Sequence, residues 1–216
     1  FGGGSNLTWS GGNWNSGGTT TIGSGATLTI AGASEHDYYG RAIVNNGTVN
    51  WNVGQIRSGN SGSIINNARW NDAADSSYQY ITAGNAPTFT NAAGAVYTKS
   101  GTGTTLFANP VPLYNDGFIN VLAGTLELNG GGVNSATGVI STAAGATTLF
   151  SNSYTISDGS SLTGAGSYVL SAGTLTLSGN ISVTTFNHTN GVLAGTQTFG
   201  GGSNLTWSGG NWNSGG

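Results

Sequence analysis

The sequence predicts an all-β chain wound as a β-solenoid, and three observations carry that prediction. Helical periodicity is nearly absent, while short alternating strands recur. A loose period near twenty residues runs along the chain. The first eighteen residues, FGGGSNLTWSGGNWNSGG, return unchanged as Phe199–Gly216.

The strand signal is local and repeated. Thr27-Leu28-Thr29-Ile30, Thr48-Val49-Asn50-Trp51, Thr125-Leu126-Glu127-Leu128 and Thr174-Leu175-Thr176-Leu177 all alternate, and Gly25, Gly47, Gly124 and Gly173 break the run before each. The period is read from turn-like anchors. Asn46-Gly47 is echoed by Asn67-Ala68, by Asn91-Ala92-Ala93-Gly94 and by Asn115-Asp116-Gly117, and Gly124 is echoed by Gly145, 21 residues on. A coil of that length cannot bury its own apolar face, so stacking must supply the core. Inward Val, Ile, Leu and Phe stack on their like, and Thr and Ser cover the outside. Asn46, Gly47, Asn67, Asn91, Gly94, Asn115, Gly117, Gly124, Gly145 and Gly173 are expected at corners, with positive φ. Stacked Asn side chains can form amide ladders along the axis.

The returning segment defines the organisation. Residues 1–198 read as one complete unit, and 199–216 as the start of the next identical one. The chain is thus expected to be a window on a tandem array, with neighbouring identical units as end-to-end partners. About nine or ten coils fit in one unit, which would advance roughly 45 Å along the axis. The two eighteen-residue copies are expected to occupy equivalent places one unit apart.

Composition sets the exclusions. Only 5% of residues are charged and the net charge is −3, yet there are six Trp, eight Tyr and seven Phe. Such a chain has the apolar groups to fold. Glycine has no three-residue period, which excludes collagen. Four basic residues argue against nucleic acid. No apolar run is long enough for a membrane helix. Without cysteine there are no disulfides or thiolate metal sites.

Ten of the eleven charged residues lie between 33 and 127. The stretches 34–39 and 71–77 are expected to be loops leaving the solenoid between coils. From Gly159 to the end there is no charge, so the junction reads as continuous solenoid.

Asn45-Asn46-Gly47-Thr48-Val49-Asn50-Trp51, Thr98-Lys99-Ser100-Gly101-Thr102-Gly103 and Asn120-Val121-Leu122-Ala123-Gly124-Thr125-Leu126-Glu127-Leu128 resemble the β-helix repeats of very large bacterial surface proteins, in the style of filamentous-haemagglutinin-like adhesins and autotransporter passenger domains. The resemblance covers most of the chain. It implies a right-handed parallel β-helix, secretion to the cell surface, and a role in fibres or adhesion. It brings no catalytic residues.

Candidate sites are few. His36 lies between Glu35 and Asp37, but neighbours on an extended chain point to opposite faces, so a solvated loop is expected. His188 is expected at the surface. Asp72 and Asp75 lack the spacing of a Ca²⁺ loop. Arg41, Arg57 and Arg69 are expected to meet acidic partners on neighbouring coils. Trp9, Trp14, Tyr38 and Tyr39 are the candidate surface contacts, with glycans or other fibres as partners. No enzyme activity, cofactor or metal is expected. The reading is a structural repeat of an extracellular fibre or adhesin. Its alternatives are a carbohydrate-binding module and, further off, a polysaccharide-degrading enzyme or an ice-binding solenoid.

Overall fold

The computed structural model describes residues 1–81 and 84–213, which form a parallel β-solenoid with no helix among them. Each coil carries strands on three faces. The first face begins with Asn6–Trp9, the second with Gly12–Asn13 and the third with Thr19–Ile22. The third face is a ten-stranded sheet ending at Asn211–Trp212, so the stack has ten coils. The first and second faces share one eighteen-stranded sheet. They merge because Ser161–Leu170 and Gly179–His188 run around the corner between them. The two parts of Ser161–Leu170 pair with Val139–Thr142 and with Thr147–Phe150.

Alternation decides which side chains fill the core. In Thr27–Ile30 the threonines are half-buried and Leu28 and Ile30 are buried. Parallel register then stacks like on like. On the first face Leu28 lies beside Val49, Val49 beside Trp70, and Trp70 beside Tyr97. On the third, Ile43 lies beside Ile64 and Ile64 beside Phe89. Burying each such side chain is worth about 1.5–3 kcal/mol. The interior suits aromatic residues: Trp51, Trp70, Tyr97, Phe107 and Phe150 are all fully buried.

One corner is built from amides. Asn45, Asn66, Asn91, Asn115 and Asn134 end successive strands of the third face, and all are fully buried. Each Nδ2 donates to the Oδ1 of the next, at 2.7, 2.8, 2.7 and 2.6 Å in turn. Asn45 also donates to the Arg69 carbonyl, and Gly47 N–H donates back to Asn45 Oδ1. Ile22 closes the column at one end and Ile156 at the other. The buried amides are therefore satisfied by one another and by the turn that follows each strand.

Several expectations are corrected. The buried ladder uses Asn45 and Asn66, and the expected corner residues Asn46 and Asn67 point outward, where Asn67 donates to Asn46 at 2.8 Å. Alternation explains this, since Asn45 lies two residues beyond inward Ile43. Gly94, Gly124, Gly145 and Gly173 have the expected positive φ, whereas Asn46, Asn67, Asn91, Asn115, Gly47 and Gly117 are not among the positive-φ residues. Gly47 is needed for space instead: a Cβ there would lie 2.4 Å from the Ala26 and Gly23 carbonyl oxygens of the coil beneath. The stretches 34–39 and 71–77 do not leave the solenoid. His36–Asp37 and Arg69–Asp72 are strands within the ladders, and Ser77–Tyr80 continues the second face.

The two eighteen-residue copies also depart from expectation. Asn6–Trp9 lies on the first face, paired with Thr27–Ile30. Its copy Asn204–Trp207 lies on the second face, paired with Thr185–His188. Gly12–Asn13 lies on the second face and Asn211–Trp212 on the third. The 198 residues from one copy to the other therefore span nine coils and one further face. Ser214–Gly216 of the second copy lie outside the described residues.

Replacing Asn91 by Ala removes the middle of the ladder and leaves Asn66 without its acceptor and Asn115 without its donor. We expect a loss of about 2–3 kcal/mol, read as a lower urea midpoint by circular dichroism. Asn67→Ala, on the outer row, should stay within about 0.5 kcal/mol. Equal effects from the two substitutions would contradict this account of the corner.

Candidate functional site

Four places among the described residues have chemistry beyond the repeating ladder: the open first coil, the ion pairs of Arg57 on the outside of the second face, a polar insertion in the core near Asp72, and the open last coil.

At the first coil, Phe1, Leu7, Asn13, Trp14, Asn15, Thr20 and Arg41 line a depression of about 400 Å³. Arg41 shapes it by donating from Nε to the Trp14 carbonyl at 3.0 Å and from Nη1 to Thr20 Oγ1 at 2.9 Å. Trp14 is half-buried and stacks on Trp9 with ring centroids 4.1 Å apart and planes 9° from parallel. Trp9 itself is buried beneath it. Of the four candidate surface contacts, Trp14 and Tyr39 are thus partly accessible, while Trp9 and Tyr38 are corrected to core positions. Tyr38 is fully buried because its ring faces inward on the second face, where its hydroxyl bonds that of Tyr78. Burial pushes its ionisation well above the ordinary tyrosine range.

His36 is likewise not a solvated loop residue. It is fully buried, with Nε2 3.0 Å from the carbonyl oxygens of Trp9 and Ala31, and with its ring edge-on to Trp9. His188, expected at the surface, is also fully buried and bonds the Gly191 carbonyl through Nε2. Both lie inward in the same second-face column as Ile56 and Leu170, because the strand turns every second residue to the core.

On the outside of the second face, Arg57 meets acidic partners on the preceding coil, as expected. It donates to both Asp37 oxygens at 2.8 Å and to Glu35 at 2.6 Å. The hydrogen-bonded Asp37 carboxylate raises the guanidinium above its usual range. Arg41 and Arg69 do not join this pair. Arg41 serves the depression, and Arg69 is exposed on the first face.

The least expected feature is a charged group inside the core. Asp72 and Lys99 are neighbours in one inward column of the first face, and both are fully buried. Asp72 accepts from Tyr97 Oη at 2.6 Å and from Ala74 N–H at 3.0 Å. Lys99 Nζ reaches past it to Asp75 Oδ1 at 2.6 Å and to the Gly101 carbonyl at 2.5 Å. Burial raises the Asp72 carboxyl above its usual range, against the pull of the Tyr97 hydroxyl. At Asp75 burial is the largest influence and acts in the same upward direction, but the Lys99 ammonium and the Gly103 and Thr102 N–H groups together outweigh it and the carboxyl is lowered. Asp72 and Asp75 are the two carboxylates at this place. The geometry turns one inward to Tyr97 and the other to Lys99. Among the described residues no group of three or more His, Cys, Asp or Glu side chains comes together.

The last coil is open. Leu205, Trp207 and Trp212 are 38%, 56% and 37% exposed, although Trp9, the counterpart of Trp207 in the first copy, is 3% exposed. Trp207 stacks on His188, and its Nε1 donates to the Gly210 carbonyl.

Comparison with family models, curated proteins and solved structures returns no match.

Removing Asp75 takes away the carboxylate that the buried Lys99 ammonium contacts, so Asp75→Ala should cost about 3 kcal/mol, seen in the urea midpoint at neutral pH. The sign with pH follows from the lowered carboxyl. Its stabilisation is present above the ordinary value of 3.8 and is lost as pH falls through the folded value. The gap between wild type and Asp75→Ala should therefore shrink in acid. A gap that grows on acidification would show that Asp75 does not hold Lys99.

Proposed function

We propose that residues 1–198 are a structural unit of a long extracellular fibre or giant surface adhesin. The fibre's work is mechanical: to be long, stiff and nearly uncharged, and to make many weak contacts whose avidity replaces a single strong site. The observation that carries this reading is the continuity of the backbone ladders. Strands pair in parallel register from the first coil to the tenth, and the returning eighteen-residue segment continues them without a linker. The cell-surface setting rests on the resemblance to bacterial β-helix adhesins.

The test is a series of chains carrying one, two and three units, imaged by negative-stain electron microscopy. Particles of constant width that lengthen by roughly 45 Å per unit are expected. Separate globules joined by flexible links would overturn the proposal.

The depression around Trp14 and Arg41 supports a second reading, a carbohydrate-binding module, since a half-exposed indole beside a guanidinium offers a stacking surface and donors. Saturable binding on a glycan array, reduced at least tenfold by Trp14→Ala, is its expected signature. Binding unchanged by that substitution would remove this depression as the glycan site.

A further inference from the structure

The two copies of one sequence are each seen with a different neighbour. At the start of the chain, Asn6–Trp9 pairs with the following coil through Thr27–Ile30, and Gly12–Asn13 through His36–Asp37. At the end, Asn204–Trp207 pairs with the preceding coil through Thr185–His188, and Asn211–Trp212 through Val192–Leu193. Phe1 shows the same division. Its amine and carbonyl bond Thr21 and Gly23 of the following coil, whereas Phe199 lies beside Ile181 of the preceding one.

A strand has two edges, and a parallel sheet uses both. The contacts at the start use one edge of the segment and those at the end use the other. A single copy can therefore hold both sets at once. The inward columns also join. Phe186 lies beside Leu205, the counterpart of Leu7, and Leu7 lies beside Leu28. His188 lies beside Trp207, the counterpart of Trp9, and Trp9 lies beside Ile30. The exposed Leu205 and Trp207 then meet what already covers their counterparts, and an apolar coil end becomes core.

The end contacts place the segment on the second and third faces, and the start contacts place it on the first and second. Resting on the fibre reading above, we propose that the open last coil is the docking surface for a second copy of this unit, turned one face about the axis. Each junction adds roughly a third of a turn, and the fourth unit faces the same way as the first. The second face of one unit continues as the first face of the next. The three inner faces are close enough in strand length and filling for this exchange: four-residue strands with two inward apolar positions recur on each, as in Thr27–Ile30, Thr125–Leu128 and Thr174–Leu177.

Disulfide trapping tests this in a chain that continues beyond Gly216 with a second run of residues 19–216. The sequence has no cysteine, so introduced thiols report alone. With the one-face turn, outward Thr206 lies beside outward Asn187. With units in phase it would instead lie over Ser182, in the outward first-face column that runs through Thr163. In-register neighbours on adjacent parallel strands are within disulfide reach. The double variant Asn187→Cys, Thr206→Cys is expected to lose its free thiols on mild oxidation. Ser182→Cys, Thr206→Cys should keep them, with circular dichroism confirming β structure in both. The reverse pattern would overturn the turn between units while leaving continuous stacking intact. Free thiols retained in both folded variants would overturn the turn and the continuous fibre together.

Discussion

Everything in this molecule depends on the in-register parallel pairing of each coil with the next. The backbone bonds of a parallel ladder are satisfied only if the neighbouring strand is present on both edges, and the register is held residue for residue along the stack. Once fixed, that register dictates the interior. A residue is buried among the residues one coil before and one coil after it, whatever the sequence between them. Insertions are accommodated at corners, and the longer coil through Asp75 and Gly84 keeps the same strand pairings as its neighbours.

The same rule explains how polar groups enter the core. A lone buried amide would be costly, but a column of five passes each donor to the next acceptor. The columns without that option solve the problem locally. Asp72 meets a tyrosine hydroxyl one coil on, Lys99 reaches outward to a carboxylate at the rim, and Thr142 and Thr148 bond each other at 2.7 Å across the corner between two faces. In these columns the coil spacing, or the nearest turn, provides the partner, whereas Thr105 Oγ1 and Tyr154 Oη are buried without one among the described residues.

The architecture was legible in the sequence because its cause is periodic. Alternation in Thr27–Ile30 and a spacing near 21 are statements about one residue type recurring, and they survive without coordinates. What was not legible depends on phase. Asn45 and Asn46 are adjacent and identical in type, and only the face of the strand tells which is buried. His36 and Tyr38 stand among charged neighbours, which suggested solvent. The charges at Glu35, Asp37 and Arg57 in fact alternate outward while His36 and Tyr38 turn in. The position of the second eighteen-residue copy was illegible for the same reason. Identity of sequence gives the distance between the copies, whereas their relative phase depends on the sum of nine slightly unequal coils. The Asp72–Lys99 column joins residues 27 apart in the longest coil, and no local spacing reveals it.

The winding has a mechanical corollary. Backbone bonds lie along the axis, and three short ladders tie every coil to its neighbour, so a pull along the axis loads them together. The covalent chain runs almost across that pull. If one coil of 21 residues tears free, it releases roughly 70 Å of contour where it had contributed about 4.8 Å of height. A solenoid wound in this way is thus stiff up to the load at which its ladders break. Beyond that load it yields coil by coil, with each released loop absorbing work before the next one opens.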